Sequence, residues 1–281
     1  MTPDVRRAEA GPPDLEVLVA PNPGPLTLEG TCSYLLGRSG LVLVDPGPEL
    51  PGQVERLVEA VRRRRACVKA VCLTHAHPDH AGCARRAAEA LSAPVAASGE
   101  TLERLGLAGL ALADQDVVDV DGGESTLRAL RTPGHSKDHL AYLWLPRRWI
   151  LTGDLVLGRG TSVVVHPDGR VGSYLASLAR LIALRPERLL PGHGPAVKHA
   201  VDKLEEYGRH RRLRDRQILR AVREEGARTL AEIRSSVYGE LPTELVQPAE
   251  LSILAHLEHL RQTGHDLPEG IASGTAGGAV P

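Results

Sequence analysis

One short stretch, residues 71–83, constrains this chain more than any other, and it reads VCLTHAHPDHAGC. It places His75, His77, Asp79 and His80 in the spacing H-x-H-x-D-H, with a cysteine on either side. All of these side-chain types bind metal ions. A site that used the sulfurs would be a closed structural zinc site, whereas nitrogen and oxygen ligands alone are typical of an open catalytic site.

The residues around this stretch predict that its ligands project from one strand-to-helix loop. Residues 68–74 form a candidate buried strand, and side chains two residues apart in extended chain point the same way, as His75 and His77 would. Pro78 suits the first turn of a helix, and the carboxylate of Asp79 suits a helix N-terminus. The helix is predicted to continue through residue 92.

The flanking cysteines are predicted to pack in the core. Cys72 lies inside the strand, and Cys83 falls on the apolar side of the predicted helix, where a free cysteine behaves as a small hydrophobe. The four cysteines of the chain are too few and too irregularly spaced for a disulfide framework. With no apolar run long enough to span a bilayer and no apolar signal-peptide core in residues 1–14, we expect a reduced, cytoplasmic protein.

Strands and helices alternate through about the first 200 of the 281 residues, which predicts an α/β layered domain. The remainder is nearly all helical, with segments at about 196–225, 229–238 and 248–263, which indicates a small helix-turn-helix or winged-helix module. The predicted parts are a catalytic domain at 1–200, a winged-helix-like domain at 201–265 and a tail, expected to be disordered, at 266–281.

Three loops farther along the chain offer additional ligands. His135 occurs in TPGHS, Asp154 in LTGDL and His193 in PGHGP, each beside a strand-like segment. Each alone is weak evidence, because a histidine in a loop is usually solvated. Together with residues 75–80 they form a set of histidines and aspartates with metal-binding chemistry.

The motifs HAHPDH, TPGHS, GD and PGHG resemble, in order, the metal motifs of the metallo-β-lactamase superfamily. The resemblance covers essentially the whole α/β region and implies an αββα sandwich, followed here by the helical winged-helix-like module. It also implies that Asp45, which ends LVLVD, supports the histidine loop. The implied ligands are His75, His77 and His135 for a first metal, Asp79, His80 and His193 for a second, and Asp154 bridging both.

The segments PNPGPLTLEGT, TPGHSKDHLAYL, LTGDLVLGRGT and YGRHRRLRDRQIL are similar to the beta-lactamase-like protein 2 subfamily, whose members carry a C-terminal winged helix. This likeness implies an endoribonuclease acting on single-stranded RNA, or a thioesterase of acyl carriers. The chain departs from its relatives at Cys32-Ser33, where they usually have Asn-Thr, and at Gly82-Cys83, where they often have Gly-Gly. Both departures bear on the substrate and leave the metal set intact.

Nitrogen and carboxylate ligands without thiolate suit zinc, and we expect two Zn²⁺ ions per chain and hydrolysis by a metal-bridged hydroxide. Asp79 and Asp154 would anchor metal and orient that hydroxide. His139 could contact substrate or protonate a leaving group. A structural role at the start of the following strand is an equally open interpretation of His139.

Single-stranded RNA is the leading substrate, an acyl thioester or glyoxalase-II-like substrate is the alternative, and a catalytically silent winged-helix nucleic-acid-binding protein is the third hypothesis. No membrane partner is expected, and the residues predict no oligomeric state. A basic run could follow RNA phosphates or be a solvated helix face. Against RNA, the chain has no phenylalanine and few rings on which bases could stack. The basic run consists of Arg209, Arg211, Arg212, Arg214 and Arg216.

Overall fold

The computed structural model describes residues 12–268 and residue 271. Within these residues the chain folds into two compact units. The first contains residues 12–132, 138–161 and 185–201, and the second contains residues 133–137, 162–184 and the described residues from 202 onward. The domain ranges stay predictions. The N-terminal residues 1–11, and the predicted tail apart from residues 266–268 and 271, lie outside the described part of the chain.

Two β-sheets form the body of the first unit. The strands of the first sheet are β1 Leu15–Val19, β2 Cys32–Leu36, β3 Gly40–Val44, β4 Cys67–Cys72, β5 Val95–Ala97 and β6 Leu110–Ala111. Those of the second are β7 Val117–Val120, β8 Ser125–Arg131, β9 Leu140–Leu145, β10 Trp149–Gly153 and β11 Arg188–Pro191. The first sheet keeps the chain order, and the second has the order β11-β10-β9-β8-β7. In the first sheet β3, β4 and β5 run parallel, so their carboxyl ends meet at one edge.

Alternating side chains of the strands build two cores in the first unit. In β2, Tyr34 and Leu36 face Trp144 and other residues of the second sheet, whereas Leu35 faces the opposite side. This is the two-residue period of a strand buried on both faces. On the outer side of the first sheet, Leu57 and the other apolar residues of the helices cover the strands. The helices of this unit are α1 Gln53–Arg64, α2 Pro78–Ala81, α3 Ala84–Leu91 and α4 Gly99–Leu105.

The second unit is helical. Residues of its last three helices, among them Ile218, Ile233 and Leu257, share one apolar cluster with Leu267 and Ile271. A reciprocal capping box starts the helix at 230, because Thr229 and Glu232 each bond the other's backbone N–H. Its helices are α5 Val171–Ala183, α6 Ala200–Arg223 (from residue 202), α7 Leu230–Tyr238 and α8 Thr243–Gln262.

Several predicted helices have different bounds in the structure; the helix expected at about 196–225, for example, is α6 Ala200–Arg223. The helix expected through residue 92 is interrupted between α2 and α3, because the Cys83 N–H donates to Gly47 O at 3.1 Å instead of continuing the helical pattern. α8 begins at Thr243 rather than at about residue 248, with Pro248 inside it. Proline at that point costs one backbone hydrogen bond but leaves the helix intact near its N-terminus. β5, β6, β7 and α4 were not predicted, since they are short.

None of the helices in the described part of the chain is both long and apolar enough to cross a lipid bilayer.

Candidate metal centre

The metal-binding motif lies where the parallel strands of the first sheet end. β4 ends at Cys72, and α2 starts at Pro78 with His77 as its extended N-cap residue. His75 and His77 therefore lie just after the end of the strand, and Asp79 and His80 lie in the first turn of the short helix. This is the arrangement that the spacing predicts.

Four predicted ligands of the first unit converge: one ligand atom from each of Asp79, His80, Asp154 and His193 lies within 4.8 Å of the others. The Nε2 atoms of His80 and His193 are 3.2 Å apart. Asp154 Oδ1 lies 3.2 Å from Nε2 of His80 and 3.3 Å from Nε2 of His193. Asp79 Oδ2 lies 3.1 Å from the same His193 atom. Two imidazole nitrogens and two carboxylates directed at one point fit a divalent transition metal.

The histidine pair lies next to this cluster in the same unit. His75 Nε2 and His77 Nδ1 are 2.9 Å apart, and the ring centroids of His75 and His80 are 4.4 Å apart. His75 is fully buried, whereas His77 is partly accessible. The H-x-H half of the motif therefore adjoins the four-residue cluster.

Asp45 supports both halves of the motif, as the resemblance implies. It follows β3, is only 2% exposed, and has φ of 51°. Its Oδ2 accepts from the Thr74 hydroxyl at 2.7 Å and lies 2.8 Å from His80 Nδ1, and its Oδ1 accepts from the Thr74 N–H at 2.8 Å. Thr74 Oγ1 in turn lies 2.9 Å from His75 Nδ1. With Nδ1 of His75 and of His80 bonded in this way, Nε2 of each ring is the nitrogen left for a metal, as in metal sites.

The charged groups of the cluster shift one another's pKa values. Burial lowers the pKa of His80, but the carboxylates of Asp154, Asp79 and Asp45 outweigh it and raise the pKa well above its usual value. The pKa of His193 rises to about 9, chiefly because of the Asp154 carboxylate, although burial acts in the opposite direction. The pKa of Asp154 lies well below its usual value because the two histidines outweigh burial. The centre of the cluster therefore favours positive charge.

Glycine in the PGHG motif is required by this packing. A Cβ atom at Gly192 would lie 2.5 Å from His80 Cε1 and 2.6 Å from Asp154 Oδ1, closer than side-chain atoms approach. The backbone at Gly192 thus comes close enough to fix the two ligand side chains, and any larger residue would displace them.

Asp138 is a site residue that the sequence does not reveal. It is 1% exposed, and its Oδ2 accepts from the N–H of Ala76, between the two histidines of the pair, at 2.9 Å and from Thr101 Oγ1 at 2.8 Å. Arg104 donates to Oδ1 at 3.0 Å. Asp138 therefore holds the backbone of the H-x-H turn. Its donors lie 34 to 62 residues away, so no local pattern points to it.

His139 is fully buried in the first unit. Its Nδ1 lies 3.0 Å from Thr132 Oγ1, its carbonyl accepts from the Thr132 N–H, and its ring centroid is 5.2 Å from that of His75. These contacts support the structural interpretation at the start of β9. A catalytic role for His139 stays a prediction.

His135 belongs to the second unit. It is 6% exposed, and its Nδ1 lies 2.7 Å from Val163 O within that unit. A carbonyl on Nδ1 leaves Nε2 as the ligand nitrogen, which is consistent with the predicted role. Membership of His135 in the ligand set stays a prediction.

The cysteines are free thiols, and the expectation that Cys72 and Cys83 pack in the core is confirmed. Cys72 is fully buried in the core between the sheets, and Cys83 is 1% exposed with its Sγ 3.2 Å from Pro46 O. Burial raises the pKa of Cys32 to about 11 and that of Cys83 to about 12. Cys67 is exposed.

We expect alkylation of the native protein at pH 8 to modify Cys67 at least about a hundredfold faster than Cys32, Cys72 or Cys83, because thiolate is the reactive form and the three buried thiols hold little of it. Mass spectrometry after brief iodoacetamide treatment measures this, and protein unfolded in guanidinium provides the control in which all four react. Modification of Cys72 or Cys83 that begins only when a chelator is added would contradict the assignment to the core.

The basic run is not a uniform surface. Arg211 is 3% exposed and Arg214 is partly buried, whereas Arg209, Arg212 and Arg216 are exposed. Each aromatic residue in the described part of the chain is buried or partly buried, which leaves little surface for base stacking. These residues are Tyr34, Tyr142, Trp144, Trp149, Tyr174, Tyr207 and Tyr238.

Comparison with known families agrees with this fold and site. The model of the metallo-beta-lactamase superfamily matches residues 26–193, and that of the beta-lactamase associated winged helix domain matches residues 229–265. The chain belongs to the metallo-β-lactamase superfamily, whose members are typically metal-dependent hydrolases. The prediction of an α/β metallo-β-lactamase fold with a C-terminal winged-helix module is confirmed.

Among its relatives, the chain is similar to a beta-lactamase-like protein 2 homolog of Caenorhabditis elegans, with 33% identity over 79% of this chain and 75% of the relative. The lactamase-like protein nscB of Trichophyton rubrum is also 33% identical, over 86% of this chain and 79% of its own. The predicted resemblance to the beta-lactamase-like protein 2 subfamily is confirmed by these similarities.

Two solved structures are similar as well. A metallo-beta-lactamase family protein of Thermus thermophilus has 26% identity and a TM-score of 0.74, covering 90% of this chain and 94% of its own. The protein TTHA1623, solved in a di-iron-bound form, has 29% identity and a TM-score of 0.53, covering 66% of this chain and 96% of its own.

Proposed function

We propose that this protein is a dinuclear zinc hydrolase that cleaves phosphodiester bonds of single-stranded RNA. The observation that carries the hydrolase assignment is the convergence of Asp79, His80, Asp154 and His193. Asp45 supports this cluster through the contact of its Oδ2 with His80 Nδ1. Zinc is proposed because imidazole and carboxylate donors without thiolate suit an open zinc site; the same donors also suit iron, so the metal analysis below distinguishes the two. RNA is proposed because of the similarity to beta-lactamase-like protein 2.

The proposed ligands are His75, His77 and His135 for one ion, and Asp79, His80 and His193 for the other, with Asp154 serving both. Bound zinc would lower the pKa of water toward about 7 and stabilise negative charge developing on the attacked group.

The side chains of the cluster would orient the attacking water and accept its proton. The Asp154 carboxylate, held between His80 and His193, can accept a hydrogen bond from the attacking water and fix its direction. Asp45 and Asp138 keep the ligand histidines in place through His80 Nδ1 and the Ala76 N–H. No serine or cysteine nucleophile is needed, so we propose direct hydrolysis without a covalent intermediate.

The second candidate is an acyl thioester hydrolase. It is favoured by one observation: every aromatic residue in the described part of the chain is buried or partly buried, and single-strand binders usually depend on exposed rings. The metal-dependent chemistry would be the same, and the attacked centre would be a thioester carbonyl carbon in place of phosphorus.

Metal analysis and a paired substrate assay test these proposals. Elemental analysis of the purified chain should find about two zinc ions. Iron as the bound metal would overturn the zinc assignment. Labelled single-stranded RNA should then be cleaved by the wild type and by His199→Ala, an exposed histidine of the same unit, but not by His193→Ala.

The outcome of the paired assay separates the hypotheses. Cleavage of an acyl thioester with RNA left intact would replace the first candidate by the second. RNA binding without cleavage of either substrate, in protein that holds both ions, would overturn the hydrolase assignment in favour of a nucleic-acid-binding protein.

A further inference from the structure

The loop that carries His135 is held by one segment of the second unit, residues 162–177. Val163 O accepts from His135 Nδ1 at 2.7 Å, and Ser177 Oγ donates to Pro133 O at 2.7 Å. Gly134, with φ of 145°, packs so closely that a Cβ there would lie 2.4 Å from Tyr174 Cα. The direction of the imidazole is therefore set by where this segment lies.

Arg211 of α6 contacts that segment at two points. It is 3% exposed, its Nη2 donates to Ser162 O, and its guanidinium lies 4.9 Å from the centre of the Tyr174 ring. Ser162 immediately precedes Val163, the residue that accepts from His135. Tyr174 is the residue against which Gly134 packs. One guanidinium thus fixes both the peptide that orients the imidazole and the ring behind the loop.

Burial of this arginine calls for a specific reason. Within the part of the chain that the structure describes, Arg211 makes no ion pair with a carboxylate, and a buried charge without one is costly. A residue that served RNA phosphates would keep its guanidinium in solvent, as the neighbouring Arg209 and Arg212 do. The contacts of Arg211 with a carbonyl and a ring are instead those of a structural clamp.

We propose that Arg211, on α6 of the C-terminal helical module, is a positioning residue for His135. The proposal rests on the proposed function in one respect, namely that His135 is a metal ligand. Arginine is required because its planar group can donate to the Ser162 carbonyl and stack on Tyr174 at once, which a lysine ammonium cannot do in the same geometry. Outer residues that orient a metal ligand typically contribute ten- to a hundredfold in metal affinity, as an order of magnitude.

Arg214 provides a matched control on the same helix. It is partly buried, and like Arg211 it donates to a carbonyl (Val237 O, 3.1 Å) and lies over a ring (Tyr238, 4.0 Å from the centroid). Its contacts are with α7 and not with the segment that holds His135. Replacing either arginine by lysine removes the same kind of interaction, so a difference in metal binding between the two variants reports the contact with that segment.

The experiment measures zinc affinity by chelator competition in the full chain for Arg211→Lys, Arg214→Lys and His135→Ala, beside thermal unfolding and the absorption spectrum of the Co²⁺-substituted protein. We expect Arg211→Lys to lower the affinity for one of the two ions by about ten- to a hundredfold and to change the Co²⁺ spectrum. The affinity of this variant for the other ion, and the affinities of Arg214→Lys for both ions, should stay at the wild-type values. Tyr174→Leu, which removes the ring but keeps the arginine, should lower the affinity for the same ion. This variant replaces Arg211→Lys in the test if Arg211→Lys does not fold.

Three results would overturn the proposal. Wild-type affinity for both ions in Arg211→Lys and Tyr174→Leu would show that the clamp does not orient a ligand. Equal weakening in Arg214→Lys would indicate general destabilisation. Weakened RNA binding in Arg211→Lys with both ions at wild-type affinity would return the residue to a phosphate-binding role. Wild-type metal binding by His135→Ala would instead overturn the ligand set of the proposed function, so the two failures are distinguishable.

Discussion

Replacing Asp154 by asparagine should lower the rate of hydrolysis, on whichever substrate the wild type cleaves, by at least about a hundredfold. Removal of even an outer residue that supports a metal ligand costs ten- to a hundredfold, and Asp154 lies within the ligand cluster itself. Its Oδ1 is 3.2 Å from His80 Nε2 and 3.3 Å from His193 Nε2, so its charge acts on both histidines. Asparagine keeps the shape and removes that charge.

Steady-state kinetics and elemental analysis on the same preparation check this expectation, with fewer than two metal ions per chain expected in the variant. Asp119→Asn, at an exposed position of β7 in the same unit, should match the wild type in both measurements. An Asp154→Asn variant that retained full metal content and full activity would show that the cluster is not the reacting centre.

Replacing Asp45 by alanine should destabilise the metal-free protein by about 3 kcal/mol and weaken metal binding at least about tenfold. The carboxylate is 2% exposed and is the acceptor for the Thr74 N–H and hydroxyl and for His80 Nδ1. Each buried donor that loses its acceptor costs about 1–3 kcal/mol. The backbone at φ of 51° adds strain for alanine, since this region favours Gly, Asn and Asp.

Asp45→Asn separates these contributions, because asparagine tolerates that backbone and keeps one carbonyl acceptor but carries no charge. It should lose less stability than Asp45→Ala in urea unfolding of chelator-treated protein, yet bind metal more weakly than the wild type. A loss below about 1 kcal/mol for Asp45→Ala would mean that water replaces the carboxylate, and hence that Asp45 does not hold the histidine loop.

Much of the metal centre could be predicted from the residues because the information is local. The spacing of His75, His77, Asp79 and His80 at a strand end restricts where their side chains can point, and strand and helix periods are set by neighbours in the chain. The loop motifs around His135, Asp154 and His193 are weak evidence one by one and were recognised through their resemblance, in order, to the motifs of a known family. For Gly192 the structure supplies the reason for glycine, since a Cβ would strike His80 and Asp154.

The misplaced elements were those whose bounds depend on distant groups. The helix after His80 breaks because Gly47 O captures the Cys83 N–H, and no periodicity within residues 79–92 contains that carbonyl. The two-residue strand β6 exists only because β5 pairs with it, so its own residues hold too little pattern to predict it.

The amino-acid sequence by itself determined the α/β order and the types of side chain available to bind metal, because these follow from periodicity and spacing along the chain, and it indicated the fold family through the resemblance of its motifs. Tertiary structure alone decided which polar side chains are buried and which distant groups they contact. Asp138 reaches the backbone between two histidines from 62 positions away, and Arg211, one of five arginines in a basic run, is buried against Ser162 and Tyr174. The sequence letter of a charged residue is the same whether its side chain is in solvent or in the interior. Only the surrounding contacts determine whether the side chain can bind a substrate or instead positions another residue.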